Sequence, residues 1–303
     1  MPDLKAWISA LRPRTLFLAV ATSLCGSGIA YSTGRFSTSV FILTMLIATI
    51  LQLLSNMAND LGDFEHGTDI TGERIGPQRT LQSGAISPKQ MKKAIGFTII
   101  LAAIVGSLLI YEALKFLSVY VILIFLFLGL ASIVAAVKYT AGKKPYGYKG
   151  LGDIFSFIFF GLVSVAGTYF LHTHKLDFRP WLPAIGMGMF TVAVLNVNNM
   201  RDMENDIKSG KITIASRLGM KNAKIYHAII TLIGIFCFIA YSIIYSQHWY
   251  QFLYLPVLFL FVKILIDIFN TKEAKELDPY LKYTSMASFI LSLTFCISTN
   301  LSF

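Results

Sequence analysis

Charge is what this 303-residue sequence has least of. Only 14% of its residues are Asp, Glu, Lys or Arg, against about 25% in an ordinary soluble domain. With 55% hydrophobic residues gathered into long runs, that scarcity excludes a water-soluble globule and predicts a polytopic membrane protein. Cysteine is almost missing too. Cys25, Cys237 and Cys296 lie far apart inside apolar runs, so neither a disulfide framework nor a zinc site is readable, and all three read as core residues. No stretch of period-two alternation is long enough for a sheet, which leaves an all-α chain. Asp3, Lys5 and Trp7 open the sequence without a small-residue cleavage site before the first apolar run, so no cleavable signal peptide is expected.

A helix needs about 20 residues to cross the hydrocarbon. The sequence offers about nine such spans: Thr15–Tyr31, Thr38–Ala58, Met91–Tyr111, Phe116–Val137, Asp153–His172, Trp181–Met200, Ala223–Tyr245, Tyr250–Phe269 and Tyr280–Thr299. A short amphipathic lead-in over Met1–Arg14 precedes them, and the whole reads as a single transmembrane domain, 1–303. Gly26, Gly28, Gly161 and Gly167 are expected to let helices approach closely. The connections alternate in charge. The N-terminus, Asn59–Lys93, Lys138–Gly150, Arg201–Lys224 and Thr271–Lys282 hold 21 of the 26 Lys and Arg residues. The positive-inside rule puts that side in the cytoplasm, as expected for an inner-membrane protein. The net charge of +10 is therefore topological, and no nucleic-acid motif accompanies it.

The acids are not spread evenly. Eight of the sixteen fall in two segments on the cytoplasmic side, Asn56–Ser83 and Asn196–Gly219. Each closes an apolar run, and each is followed by Gly and basic residues. If the helix continues out of the first run, Asn56, Asp60 and Asp63 sit at i, i+4 and i+7 on one face. Asn198, Asp202 and Asp206 repeat the layout at i, i+4 and i+8. Carboxylates so close repel unless cations lie between them, and hard oxygen ligands with little His or Cys nearby suit Mg²⁺ or Ca²⁺ better than zinc. Either segment alone reads equally well as a solvated acidic loop; the pair reads as a cage for metal ions and a polyphosphate. A third segment, Lys138–Asp153, is dense in Tyr, Gly and Lys. His172 and His174 form an H-x-H without a third ligand and read as structural, and Lys263 with Asp267 reads as an i, i+4 ion pair inside a span.

These segments resemble the UbiA superfamily of intramembrane aromatic prenyltransferases. The residues that carry the resemblance are RPRTL at 12–16, NMANDLGDFEHGTD at 56–69, RIGPQRTLQSG at 74–84, YTAGKKPYGYKGLGD at 139–153 and NNMRDMENDIKSGKITIASRLG at 198–219. The D-x-x-D-x(5)-D form of the first motif, with RIGPxR after it, resembles the branch that prenylates 1,4-dihydroxy-2-naphthoate more than the hydroxybenzoate and haem branches. The resemblance implies nine transmembrane helices around a central cavity that opens laterally to lipid under cytoplasmic loops. It implies transfer of a prenyl group from a polyprenyl diphosphate to dihydroxynaphthoate, with loss of diphosphate and CO₂. It assigns Asp60, Asp63 and Asp69 to one Mg²⁺ cluster and Asp202 and Asp206 to another, for two ions in all. Arg79, Lys138 and Lys211, with Arg74 and Arg201, are its candidates for diphosphate contact, and Asn56 and Asn198 for orienting ligands. Tyr139, Tyr146 and Asp153 are candidates for shaping the ring pocket, and Arg12 or Arg14 for pairing with the naphthoate carboxylate. Two rival readings remain open at this point. One is another aromatic acceptor, such as 4-hydroxybenzoate, haem or chlorophyllide. The other is a cation-coupled transporter, against which the acids stand at span ends rather than at the midplane.

Overall fold

The computed structural model describes residues 3–68 and 79–301. Among these residues all regular structure is helical, and nine helical stretches are long and apolar enough to cross a membrane. Asp3 caps α1 (Leu4–Leu11) by accepting from the Ala6 amide at 2.7 Å. Arg12, at φ 49°, then breaks the chain in the left-handed region that L side chains avoid, and α2 (Leu16–Ser32) follows. The remaining elements are α3 (Thr38–Glu65), α4 (Pro88–Leu114), α5 (Val119–Lys138), α6 (Gly152–Thr173), α7 (Trp181–Arg201), the short α8 (Met203–Lys208), α9 (Ile214–Tyr245), α10 (Leu258–Asn270) and α11 (Asp278–Asn300). Their starts follow capping rules. Ser87 and Gln90 form a capping box with Pro88 in the first turn of α4, and Thr213 and Ser216 form another at α9. Gly219 inside α9, at φ 73°, kinks it, so the membrane-crossing part begins beyond that residue, as expected from the apolar run at Ala223.

Two packed groups flank a cavity. On one side α3 lies against α4 and α5; on the other α7 packs against α6, α9 and α11. α2 bridges them, touching α3, α6 and α11. The larger core is aromatic: Phe190, Phe238, Phe261 and Phe295 are fully buried, with Phe190 and Phe261 stacked 3.9 Å apart. A second core under α1 joins Ala6 and Ala10 to Leu54, Met57, Ile86 and Met91, seating the N-terminal helix on the C-terminal half of α3.

α6 is unusual in carrying a π-helix over Phe157–Ala166. Its cavity-lining residues recur every four positions, at Phe155, Phe159, Val163, Gly167 and Leu171. In a plain α-helix a four-residue step overshoots a turn by about 40° and such a stripe drifts away. The wider i→i+5 turn of the π segment rotates less per residue and brings the stripe back. One face of α6 can therefore wall the cavity over its whole length.

Two sequence expectations need correction. Gly167 does not mediate close packing, because a Cβ there would meet nothing within 4 Å; it is a thin part of the cavity wall. Gly26, Gly28 and Gly161 do stand against neighbouring helices. Lys263 and Asp267 form no ion pair among the described residues: Lys263 is exposed on α10, Asp267 half-buried. Lys ahead of Asp at i, i+4 is the weaker orientation of such a pair, which leaves little to hold it.

A Cβ on Gly161 would lie 2.6 Å from the Ala184 carbonyl oxygen and 2.8 Å from the Gly188 Cα, both backbone atoms that no rotamer can move. Gly161→Ala is expected to destabilise the protein in detergent by about 1–3 kcal/mol through overpacking. Gly96→Ala, where nothing lies within 4 Å, is expected to be neutral or mildly stabilising. Thermal unfolding of the two purified variants side by side tests the contrast.

Candidate functional site

The first acidic segment folds as its spacing predicts. α3 runs on to Glu65, so Asn56, Asp60 and Asp63 share a face, and all three are buried. Burying carboxylates at this depth requires cations and donors around them. Asp60 receives Arg12 Nη2 at 2.8 Å on one oxygen and the Thr80 hydroxyl at 2.9 Å on the other, with Arg79 Nε 3.5 Å away. Asp63 receives Arg79 Nη2 at 2.6 Å and the Tyr148 hydroxyl at 2.9 Å. Arg79 also donates to the Asn59 carbonyl at 2.9 Å. Asn56 donates to the Leu11 carbonyl at 2.7 Å and to Thr15 Oγ1 at 2.9 Å, which fixes the turn carrying Arg12.

The second segment bends at Asp202, where α7 gives way to α8, yet stays continuous through Asp202 N→Asn198 O and Asp206 N→Asp202 O bonds of 3.1 and 2.8 Å. Arg201 grips Asp202 with two bonds, Nε to Oδ1 at 2.9 Å and Nη2 to Oδ2 at 2.7 Å, and also reaches Asn198 Oδ1 at 2.9 Å. Lys211 approaches Asp206 Oδ1 at 3.3 Å.

The two segments meet. Asn205 Nδ2 donates to the Thr68 carbonyl at 3.0 Å, joining α8 directly to the chain just past α3. Between them stands the 139–153 loop. Thr140 donates to Ala58 O at 3.1 Å and Asn59 Oδ1 at 3.0 Å, and the Ile212 amide donates to Tyr148 O at 3.2 Å. Gly62 permits this docking, since a Cβ there would lie 2.5 Å from the Thr140 carbonyl. The Tyr148 ring sits with Lys211 Nζ 5.8 Å from its centroid and His66 4.9 Å away.

Below this junction lies a cavity of about 500 Å³. Arg12, Asn56, Asn59, Asp63, Arg79, Tyr139, Tyr146, Asn198 and Lys211 line its polar end. Ile47, Leu51, Phe125, Phe159 and Val163 line its apolar body. Of the residues singled out by sequence, the structure thus gathers Asn56, Asp60, Asp63, Arg79, Tyr139, Tyr146, Asn198, Arg201, Asp202, Asp206 and Lys211. It does not gather three others. Lys138 is exposed with its Nζ beside Gly142 and does not line the cavity. Arg14 lies outside the lining, 3.6 Å from Asp278. Asp153 is buried behind it, accepting from the Tyr226 hydroxyl at 2.9 Å. Asp69 and Arg74 lie outside the described residues. Among the described residues no three carboxylates converge on one point. Tyr148, Thr80 and Asp278 were not foreseen. A tyrosine among three in one loop, or a threonine beside Arg79, carries no distinguishing signal in sequence. His172, as expected, is structural: its ring bonds Ser27 and the Ser37 amide and stacks on Phe36.

Titration follows the same geometry. Burial pushes the Asp206 carboxyl up to about 6; Lys211 opposes this, while Asp202 and Asp63 add to it. Burial would lower Lys211, but Asp63 and Asp206 hold its ammonium above the ordinary lysine range. Burial raises Tyr139, with Asp153, Asp63 and Asp206 reinforcing it, and raises Tyr146 and Tyr148 as well. These tyrosines remain neutral hydroxyls at physiological pH, suited to positioning rather than to proton abstraction. Asp206 Oδ2 is buried without a hydrogen-bond partner among the described residues, an acceptor left open within a charged cluster.

Residues 19–293 match the UbiA prenyltransferase family. A 1,4-dihydroxy-2-naphthoate octaprenyltransferase of Haemophilus influenzae is 42% identical over 296 residues, 97% of this chain and 95% of that one. The protein of the same description from Escherichia coli K12 is 38% identical, covering 98% and 96%. In fold, the chain is similar to a UbiA homologue from Aeropyrum pernix, with a TM-score of 0.70 at 15% identity over 93% and 97% of the two chains. A UbiA homologue from Archaeoglobus fulgidus bound to GPP and Mg²⁺ aligns with a TM-score of 0.62 at 14% identity, covering 96% and 99%.

The Asp206 shift has a sign that can be checked. An unfolded aspartate titrates near 3.9, so a folded value of about 6 means that the fold favours the protonated form. Its contribution to stability is present in full below the unfolded value and is lost as pH rises through 6. Without divalent cations, the protein is expected to lose thermal stability between pH 4 and 6.5, and Asp206→Asn is expected to flatten that decline. Melting curves across this range, with chelator present, measure it.

Proposed function

The chain belongs to the UbiA prenyltransferase family, and on that premise we propose that it transfers the polyprenyl group of a polyprenyl diphosphate to 1,4-dihydroxy-2-naphthoate. The products are diphosphate, carbon dioxide and a demethylmenaquinol, a step of menaquinone biosynthesis. The observation that carries the reading is the junction itself: two acidic helix ends, tied by Asn205 and Thr68, close over one end of an apolar cavity whose polar end includes Asp63, Arg79 and Lys211. The apolar body takes the prenyl chain and the charged end takes the diphosphate. The reaction belongs on the cytoplasmic side of the inner membrane, where the Lys and Arg bias puts these segments.

The donor set fits magnesium. It is made of hard oxygens, lacks thiolates, and includes Asp206 Oδ2, which has no hydrogen-bond partner among the described residues. Asp60 and Asp63, joined by Asp69, would hold one ion, and Asp202 and Asp206 a second. Bound there, Mg²⁺ would stabilise the negative charge that builds on the diphosphate as the allylic C–O bond ionises. The chain's own cations serve the same end. Arg79 and Lys211 line the cavity and stand among the carboxylates, so they are fixed donors for phosphate oxygens, preorganised before the bond breaks. Of the two lysines expected to contact diphosphate, Lys211 lines the cavity and keeps that role, and Lys138 does not line it. Of the two arginines in the RPRT run considered for pairing with the naphthoate carboxylate, Arg12 fits the role, because it lines the cavity and is held by Asp60. Asn56 fixes the turn that carries it. Tyr139 and Tyr146, edge to face at 5.4 Å, wall the polar end, and their neutral hydroxyls orient the acceptor ring. The aromatic side chains Phe155 and Phe159 shelter an allylic cation from water.

Purified protein in detergent is expected to form the prenylated naphthalene product from dihydroxynaphthoate, polyprenyl diphosphate and Mg²⁺, and to fail with 4-hydroxybenzoate. Asp60→Asn and Asp206→Asn are each expected to cut turnover by about 100-fold or more with the fold retained. Product mass and single-turnover rates decide this, and wild-type turnover by either variant would remove its carboxylate from the site.

A further inference from the structure

Arg201 has three bonds on its own segment, two to Asp202 and one to Asn198. Its remaining terminal nitrogen leaves the segment altogether. Nη1 meets Asp278 Oδ1 at 2.6 Å, across 77 positions of sequence. Asp278 is the first residue of α11, followed by a proline in the first turn, so its backbone is held at a helix start. Its second oxygen lies 3.6 Å from Arg14 Nη1, and Ser285, on the same helix, donates to the Arg14 carbonyl at 3.2 Å. The last helix, the N-terminal arm and the second acidic segment therefore meet at one carboxylate that the family motifs in this sequence do not include.

We propose that Asp278 is a positioning residue for the diphosphate end of the site, acting through Arg201 on Asp202. This deepens the function given above and rests on the reading of Asp202 as a ligand there. Two physical effects operate. A guanidinium is a planar fork, so fixing Nη1 from outside fixes the plane in which Nε and Nη2 hold Asp202. Charge is the second. Arg201 and Asp202 alone form a neutral, almost fully buried pair, their side chains only 4% and 6% exposed, and such a pair attracts a divalent cation poorly. Asp278 gives Arg201 a second carboxylate to neutralise. The buried triad carries a net negative charge, which Arg14, 56% exposed and 3.6 Å from Asp278, offsets only in part through solvent screening, and Asp202 keeps part of its attraction for a metal–diphosphate complex. The acceptor ring does not enter this arrangement, so its binding is untouched.

The test compares wild type, Asp278→Ala, Asp278→Asn and Asp278→Glu. Asp278→Asn keeps the shape and an acceptor oxygen for Nη1 while removing the charge, so it reports even where the alanine variant unfolds. Both neutral variants are expected to raise the half-activating Mg²⁺ concentration and the KM for polyprenyl diphosphate roughly tenfold, the scale of one charge-assisted hydrogen bond. The KM for dihydroxynaphthoate stays unchanged, and Asp278→Glu restores most of the loss. A readout without turnover accompanies these: thermal stabilisation of the purified protein by Mg²⁺ with inorganic pyrophosphate is expected to shrink in the neutral variants. Wild-type Mg²⁺ and diphosphate constants in Asp278→Asn would overturn the proposal while leaving the function standing. A wild-type protein that neither transfers the prenyl group nor is stabilised by Mg²⁺ and pyrophosphate would overturn the function first.

Discussion

Four carboxylates buried at or just beyond the ends of membrane-spanning helices form the constraint around which this structure is arranged. None can stay ionised there alone, since an uncompensated buried charge costs about 3–5 kcal/mol when its partner is removed. Each has a cation on it: Arg12 and Arg79 at Asp60, Arg79 at Asp63, Arg201 at Asp202 and Lys211 at Asp206. Those cations come from four places in the chain, namely the turn after α1, the described chain after α3, the end of α7 and the loop after α8, and Asp278 ties in the start of α11 through Arg201. Charge pairing thus draws distant segments together over the cavity, and the apolar packing beneath supplies the affinity that holds them. The tight fit of Gly62 on Thr140 and the Asn205–Thr68 bond are consequences of this gathering as much as causes.

Much of this was legible in sequence because the membrane makes the rules strict. A chain so poor in charge must place its few acids deliberately, and two copies of Asn-x-x-x-Asp at the ends of apolar runs are hard to explain as surface decoration. The spacing of Asn56, Asp60 and Asp63 gave their shared face correctly because α3 does continue to Glu65. The partners were less legible. Basic residues in the connections between spans serve topology as well as chemistry, so sequence alone could not separate Lys211, which enters the site, from Lys138, which does not. Arg12 and Arg14 are two residues apart, and only the left-handed turn at Arg12 decides which faces Asp60. Tyr148 and Asp278 owe their roles entirely to tertiary contact. The π segment of α6 left no trace in the hydrophobic pattern, because a run apolar on all sides has no phase to read.

The division between cavity body and polar end also has a physical origin. In the apolar body the neighbouring helices lie against α6 through small residues, as at Gly161 against Ala184 and Gly188, while Gly167 leaves space instead of filling it. Thr22 and Ser164, 2.8 Å apart across the α2–α6 contact, pair with each other, so neither hydroxyl faces a hydrocarbon ligand unpaired. The polar end is built the opposite way, from long side chains anchored at both ends, such as Arg79 between Asn59, Asp60 and Asp63.

The cations in the site do two jobs, and the second follows from the first. In the protein alone they neutralise carboxylates that burial would otherwise protonate, as the raised titration of Asp206 indicates where compensation is weakest. A ligand carrying several negative charges offers those same cations a better partner, and it brings its own divalent ions for the carboxylates. Exchange of partners within a fixed constellation needs little new ordering, so the cost of organising the charges is met when the protein folds rather than when the substrate binds. As charge accumulates on the leaving group, donors already in place interact with it more strongly than with the ground state, and that difference is what accelerates bond cleavage. Weak compensation at Asp206 and shared compensation at Asp202 then become part of the design, since each leaves its carboxylate with attraction to offer a metal.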